Sequence, residues 1–245
     1  MPSHQSPSRA FVLGAGLGAR LRPLTEHLPK PLAPMGGCPL VVRIFRFLAD
    51  AGIRRVMINT HHAAERWAEA FPEKQAEGIQ LAFRHEPVLL DTGGGLKNAE
   101  DFFLDHGTFL IHNGDVLTSL PLRKAIEHHQ RERNLATMVL RSHGGPLLVA
   151  LDARNRVTAI GKVAGEERAR HLFTGIHVVE PEIFQHIPEI KAQSIITIYL
   201  ELIRRGLRIG GVVLDDGEWS DVGTIEEYER LNRTLSQTPG LTHLI

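Results

Sequence analysis

The chain has 245 residues, 42% of them hydrophobic, with 28 lysines and arginines against 28 aspartates and glutamates and so no formal net charge. The length allows one substantial core, and we expect one domain over 1–245 with a disordered tail at 1–8. Balanced charge excludes a global field for nucleic acid or an anionic membrane, a lone Cys38 excludes an internal disulfide, and no apolar run nears the roughly 20 residues that span a bilayer.

In chain order, Ala10-Phe11-Val12-Leu13 is an apolar run that stops at a glycine cluster, as a buried strand does. Val41, Ile44, Phe45 and Leu48 have helical spacing over Leu40 to Ala51, and Gly52 supplies the stop. The pattern then predicts a strand at Arg55 to Asn59, a helix at Ala63 to Phe71, a strand at Ile79 to Phe83, a helix after Gly95 and a strand over Thr108 to His112. Strands alternating with helices imply an α/β fold, a Rossmann-like three-layer, mostly parallel sheet with helices on both faces. From Ala136 to Val179 strand-like runs separated by Gly, Pro and Asn predict a small mixed or antiparallel extension. A helix at Ile195 to Arg205, a strand at Ile209 to Leu214 and a final helix entered through the capping box Thr224-Ile225-Glu226-Glu227 complete the reading. The start Met1-Pro2-Ser3-His4 lacks the basic-then-apolar order of a secretory signal, so a cytoplasmic protein is expected.

The loop Gly14-Ala15-Gly16-Leu17-Gly18-Ala19-Arg20 follows a strand, and a backbone so poor in side chains can aim several amides at phosphate oxygens. Leu13, Gly14, Ala15, Gly16 and Gly18 are therefore nucleotide-binding candidates. The same letters satisfy a dinucleotide fingerprint, which requires a helix directly afterwards and an acidic residue about 20 positions on. Pro23, Pro29, Pro31 and Pro34 break such a helix, and Met35 and Gly37 stand where the acid belongs. A Walker loop is absent, because no Gly-Lys-Ser/Thr closes the segment.

The longer stretch through Arg20-Leu21-Arg22-Pro23-Leu24-Thr25 and Pro29-Lys30-Pro31-Leu32 resembles the signature of sugar-1-phosphate nucleotidyltransferases. Arg20 and Lys30 would put positive charge beside the cradle, as a triphosphate and its departing pyrophosphate require. The resemblance implies a glycosyltransferase-A-like fold, with the extension binding the sugar, and an NTP and a sugar 1-phosphate as partners. It also implies magnesium, or manganese in its place, since such transfers need a divalent cation to neutralise clustered oxygens.

Two carboxylates are candidates for that ion. Asp115 ends His112-Asn113-Gly114-Asp115 after a strand, where ligands of open sheets bind, although Asn113-Gly114 equally suits a tight turn. Asp221, in Trp219-Ser220-Asp221-Val222-Gly223-Thr224, precedes a helix that Thr224 already caps. Both segments resemble metal-binding motifs of the family, with Asn113 beside the nucleotide; Asp115 joins Arg20 and Lys30 as catalytic. The sugar phosphate oxygen is ionised near neutral pH, so position and charge compensation suffice without a general base.

Asp91-Thr92-Gly93-Gly94-Gly95-Leu96 precedes a helix, so Thr92 and the Gly93 amide are candidates to read a nucleobase edge, with Asn59 in support. A glycine helix-entry turn is the plainer alternative. Phe173-Thr174-Gly175-Ile176-His177-Val178 resembles the family's sugar-facing strand: Thr174 and Gly175 would meet the ring, with Gly175 leaving room, and Lys162 would reach the sugar phosphate. Gly161-Lys162-Val163 departs from the Glu-Lys-Pro common there. The pairs His61-His62 and His128-His129 lack the spacing that converges on zinc.

The compact length and Asp91-Thr92-Gly93-Gly94-Gly95 resemble the N-acetylmuramate 1-phosphate uridylyltransferases most, which implies UTP and a cell-wall sugar. Guanylyl transfer to mannose or heptose 1-phosphate uses most of the same motifs. A non-catalytic nucleotide-sugar sensing domain is a third reading, against which intact Arg20, Lys30, Asp115 and Asp221 argue. Monomer and small homo-oligomer both fit.

Overall fold

The computed structural model of the chain describes residues 6–161 and 169–237. Its elements begin with β1 (Arg9–Leu13), the short strands β2 (Pro34–Met35) and β3 (Cys38–Pro39), α1 (Leu40–Asp50), β4 (Arg55–Thr60), α2 (Glu65–Ala70), β5 (Gln75–Ala76), β6 (Ile79–His85), α3 (Asp91–Asn98), β7 (Phe109–Asn113) and β8 (Val116–Thr118). There follow α4 (Leu122–Glu132), β9 (Ala136–Arg141), β10 (Val149–Leu151), β11 (Val157–Ile160), β12 (Leu172–Val179), α5 (Ile195–Arg204), β13 (Ile209–Val213), β14 (Trp219–Asp221) and α6 (Ile225–Gln237).

Eight strands form one sheet in the order β13-β9-β12-β7-β1-β4-β6-β5. The four neighbours β7, β1, β4 and β6 are parallel, whereas β12 enters antiparallel between β7 and β9. Alternation along β1 shows why the sheet needs helices on both faces. Ala10 and Val12 belong to a core with Phe45 and Leu48 of α1, Trp67 of α2 and Leu231 of α6, while Phe11 belongs to the opposite core with Leu96 of α3, Phe103, Phe109 and Tyr199 of α5. Each large apolar side chain so buried contributes about 1.5–3 kcal/mol relative to exposure. The result is the three-layer α/β arrangement expected, with the carboxyl ends of β1, β4 and β7 at one edge.

Several boundaries depart from the expectation. The chain is held before Arg9: Pro7 is buried and the Ser8 carbonyl accepts from the Arg54 and Arg55 N–H groups, so the expected tail at 1–8 is too long. Helix α3 starts at Asp91 and carries its three glycines inside it, not before it. Helix α4 escapes the apolar pattern because His129 fills the core position one turn beyond Ala125 and Ile126; its ring is bonded to Thr137 Oγ1 (2.8 Å) and Glu180 Oε1 (2.9 Å). In the expected extension, β9 and β12 join the main sheet, and among the described residues only the antiparallel pair β10–β11 stands apart. No helix of the described residues is long and apolar enough to cross a membrane.

Candidate active site

Beyond Leu13 at the end of β1, the glycine loop turns over the edge of β4. The Gly14 N–H donates to Asn59 Oδ1 at 2.8 Å, and a Cβ at residue 14 would stand 2.8 Å from the Asn59 carbonyl and 2.9 Å from the buried Trp67 ring. Gly18 closes the loop with φ +62, its carbonyl accepting from Thr25 Oγ1 at 2.7 Å. Gly16 between them has nothing within 4 Å of an added Cβ and faces open space. A single turn at Ala19–Leu21 replaces the long helix that a dinucleotide site requires.

The second charge-bearing segment is set against this loop by close backbone contact. The Gly114 N–H donates to the Leu13 carbonyl at 3.0 Å, and a Cβ there would lie 2.2 Å from that oxygen and 3.0 Å from Pro31. Pro29 and Pro31 flank Lys30 in a tight turn over Lys30–Leu32, so packing Pro31 on Gly114 fixes where Lys30 stands. Its Nζ donates to Asp115 Oδ2 at 2.6 Å, with the lysine side chain 9% exposed and the aspartate 29%. One residue on, β8 pairs with β14, Asp221 opposite Val116, and the Val222 N–H donates to the Asp115 carbonyl at 2.9 Å. This ladder brings the Asp221 carboxyl to the Asp115 side of the sheet edge. Burial raises the Asp221 carboxyl above its ordinary value and the Asp115 carboxylate raises it further, against the opposing charges of Lys30 and Arg20. Arg20 is exposed, and its Nη1 lies within 3.1 Å of where a Cβ at Gly223 would be, beside Asp221 Oδ2 at 3.4 Å.

Two acidic groups facing each other fit a hard divalent cation that takes its other ligands from phosphate and water. Among the described residues no three His, Cys, Asp or Glu side chains converge as a zinc cage would need.

Two cavities meet at this junction. One, of about 360 Å³, is lined by Ala15, Gly16, Lys30, Leu89, Thr92 and Asp115; the other, of about 380 Å³, by Leu148, Ile160, Phe173, Gly175, Trp219 and Asp221. Asn113 lines both. The second is largely apolar, and its Trp219 ring is fixed by an Nε1 bond to the Thr174 carbonyl (2.9 Å).

Five of the expected site residues are bonded to, or packed against, other parts of the chain. The Gly93 N–H already donates to the Gln193 carbonyl at 2.9 Å and so is not free for a base. Thr92 lines the first cavity, yet its hydroxyl accepts from the Ile195 N–H at 2.8 Å at the start of α5, where it ties two helices together. Asn59 is 3% exposed with both amide atoms engaged, Nδ2 donating to Glu86 Oε1 at 2.8 Å, so it supports the loop from below. Thr174 is fully buried, its hydroxyl donating to the Val139 carbonyl at 2.8 Å, and the space above Gly175 (φ +82) is filled by the Asn113 carboxamide, 2.6 Å from where a Cβ would be. Thr174 and Gly175 nonetheless line the second cavity. Lys162 lies outside the described residues. Glu86, the partner of Asn59, was missed; the available signal is an acidic residue directly after an apolar strand, at the edge where Asn59 and Asn113 also fall.

The family model described as Nucleotidyl transferase matches residues 9–238. A mannose-1-phosphate guanylyltransferase of Mycobacterium tuberculosis is 31% identical over 250 residues, covering 98% of this chain and 68% of the relative. A UTP–glucose-1-phosphate uridylyltransferase of Synechocystis is 29% identical over 239 residues, covering 90% of this chain and 61% of the relative, so the chain spans about three fifths to two thirds of these proteins. Among solved structures, an inositol-1-phosphate CTP transferase from T. maritima shares the fold with a TM-score of 0.79 at 18% identity, over 96% of this chain and 97% of that one.

Proposed function

The chain belongs to the nucleotidyl transferase family, and from that premise we propose that it transfers a nucleoside monophosphate from an NTP to a sugar 1-phosphate, releasing pyrophosphate and a nucleotide-sugar. The observation that carries the reading is the junction of two cavities at Asn113, with Lys30 and Asp115 on one side and Asp221 on the other. The triphosphate occupies the first cavity, its phosphates against the amides of the loop from Ala15 to Gly18, and the acceptor phosphate enters from the second. An acceptor oxygen forms its bond to the α phosphorus as the bond to the bridging oxygen of the β phosphate breaks; both electrons leave with pyrophosphate. Since that oxygen is already ionised, no base is needed. Lys30 and Arg20 compensate the charge on the transferring and leaving phosphates. Asp115 and Asp221 would hold magnesium, or manganese in its place, which when bound neutralises phosphate oxygens. Lys162 is retained as a partner for the sugar phosphate.

For the finer identity we propose UTP and N-acetylmuramate 1-phosphate, a cytoplasmic supply of cell-wall precursor, on the resemblance of Asp91 to Leu96. The Synechocystis relative, named a uridylyltransferase, is in keeping with the base. Guanylyl transfer to mannose or heptose 1-phosphate is the second reading, favoured by the name of the mycobacterial relative. A pyrophosphate-release screen of four nucleoside triphosphates against a panel of sugar 1-phosphates tests both. Preferential use of GTP over UTP at equal concentration overturns the uridylyl assignment and leaves the transferase; no release with any pair leaves a sensing domain.

A further inference from the structure

Asn59 and Glu86 stand in series between two backbone N–H groups. Gly14 N–H donates to Asn59 Oδ1 (2.8 Å), Asn59 Nδ2 donates to Glu86 Oε1 (2.8 Å), and Leu90 N–H donates to Glu86 Oε2 (2.9 Å). Both ends of this relay are donors. A carboxamide accepts at one atom and donates at the other, so it passes the polarity along without closing the chain; one member must accept at both ends, and a carboxylate does. Glu86 is fully buried and Asn59 is 3% exposed, so no water can stand in for a lost partner. The relay fits because residue 95 is glycine: a Cβ there would be 2.5 Å from Glu86 Oε1 and 2.8 Å from Asn59 Nδ2.

We propose that Glu86 is a positioning residue that sets the width of the nucleotide cleft. Through Asn59 it holds Gly14 at the root of the loop that carries Gly16, and through Leu90 it holds the entry to α3, beside Leu89 and Thr92 on the facing wall. It touches no substrate; its effect is on the spacing of the two segments that would. The ligand's identity as a nucleoside triphosphate rests on the function proposed above.

The polarity argument makes a test that a merely space-filling role would not satisfy. In E86Q one N–H faces another whichever way the new amide turns, and in N59D two carboxylates face each other. In the double variant N59D/E86Q the relay runs in reverse: the carboxylate at 59 accepts from Gly14 and from the amide at 86, whose oxygen accepts from Leu90. Binding of each of the four common nucleoside triphosphates to the full chain is measured by calorimetry, alongside melting temperature and, for the active pair, both KM values. Each single variant should weaken triphosphate binding about tenfold or more, with the KM for the sugar 1-phosphate within about twofold of the parent. The double variant should recover to within about threefold. A double variant no tighter than the weaker single one, or single variants within about twofold of the parent, overturns the proposal. Should the single variants not fold, the double must fold and bind as the parent does, and an unfolded double overturns it equally. A parent chain that binds triphosphate without releasing pyrophosphate with any sugar 1-phosphate overturns the transferase reading alone, because the relay is read from binding; a parent that binds none overturns both.

Discussion

Two glycine-rich segments line the first cavity, and their missing side chains make room for different things. In the loop after β1, Gly14 lets the backbone lie on β4 and Gly16 leaves space open toward the cleft. In α3 the room is filled by protein: a Cβ on Gly93 would meet Ile198 at 2.5 Å, and one on Gly94 would meet the Lys191 carbonyl at 2.0 Å. The Gly93 and Gly94 amides both donate to the Gln193 carbonyl, as the Gly14 amide does to Asn59 Oδ1. Glycine signals close approach in each case, and only the neighbour decides whether the approaching body is a ligand or another segment of the chain. The wall built on the loop stands beside the Lys30–Asp115 pair; the wall built on α3 is tied into α5.

That contrast can be broken by experiment. Asp115→Ala should reduce turnover about 10³-fold or more, because several kcal/mol of charge stabilisation in the transition state is lost, while the melting curve shows a folded chain; undiminished activity would remove the carboxylate from the site. On the opposite wall, Gly94→Ala should lower stability by about 3 kcal/mol in chemical denaturation, since the Lys191 carbonyl is backbone and cannot swing aside. If it is neutral, α3 is not locked against the 189–194 segment as described. Lys30→Ala and Arg20→Ala should each slow turnover about 10²-fold; losses under about threefold in both would reduce them to structural cations.

A smaller effect tests the sheet beneath the first wall. His112 and His177 are buried, and burial lowers their pKa values to about 4 and about 3, the neighbouring His112 also lowering His177. Below the unfolded value of about 6.5 the unfolded chain takes up protons that the folded chain refuses, so stability is full above that pH and is lost as the pH falls toward the folded values. Each histidine contributes a slope of about 1.4 kcal/mol per pH unit in that window. Denaturation at pH 7 and pH 5 should show His177→Gln with the shallower loss; an unchanged slope would mean His177 is not held neutral. Least of all, Gly16→Ala should shift stability by under about 0.5 kcal/mol, because nothing lies within 4 Å of the added methyl, and its effect should appear in the KM for the triphosphate instead.

By itself the sequence determined the periodic elements and the cradle. Apolar runs ending in glycine or asparagine marked β1, β4 and β7, helical spacing marked α1, and prolines at 23, 29, 31 and 34 ruled out the long helix of a dinucleotide site; these signals are local, set by a residue and its near neighbours. The resemblance of its motifs to those of a known family put Lys30, Asp115 and Asp221 forward as candidates. Tertiary structure alone decided what met what. Lys30 reaches Asp115 across 85 positions because Pro31 packs on Gly114, and Asp221 joins them through the pairing of β14 with β8, which no period in the sequence announces. It likewise showed Gly93, Thr92, Thr174 and Asn59 hydrogen-bonded within the chain, and it disclosed Glu86. The physical reason is that a polar group's partner is set by long-range packing: the same hydroxyl or amide serves a ligand at the cleft and the backbone one layer beneath it, and burial determines which.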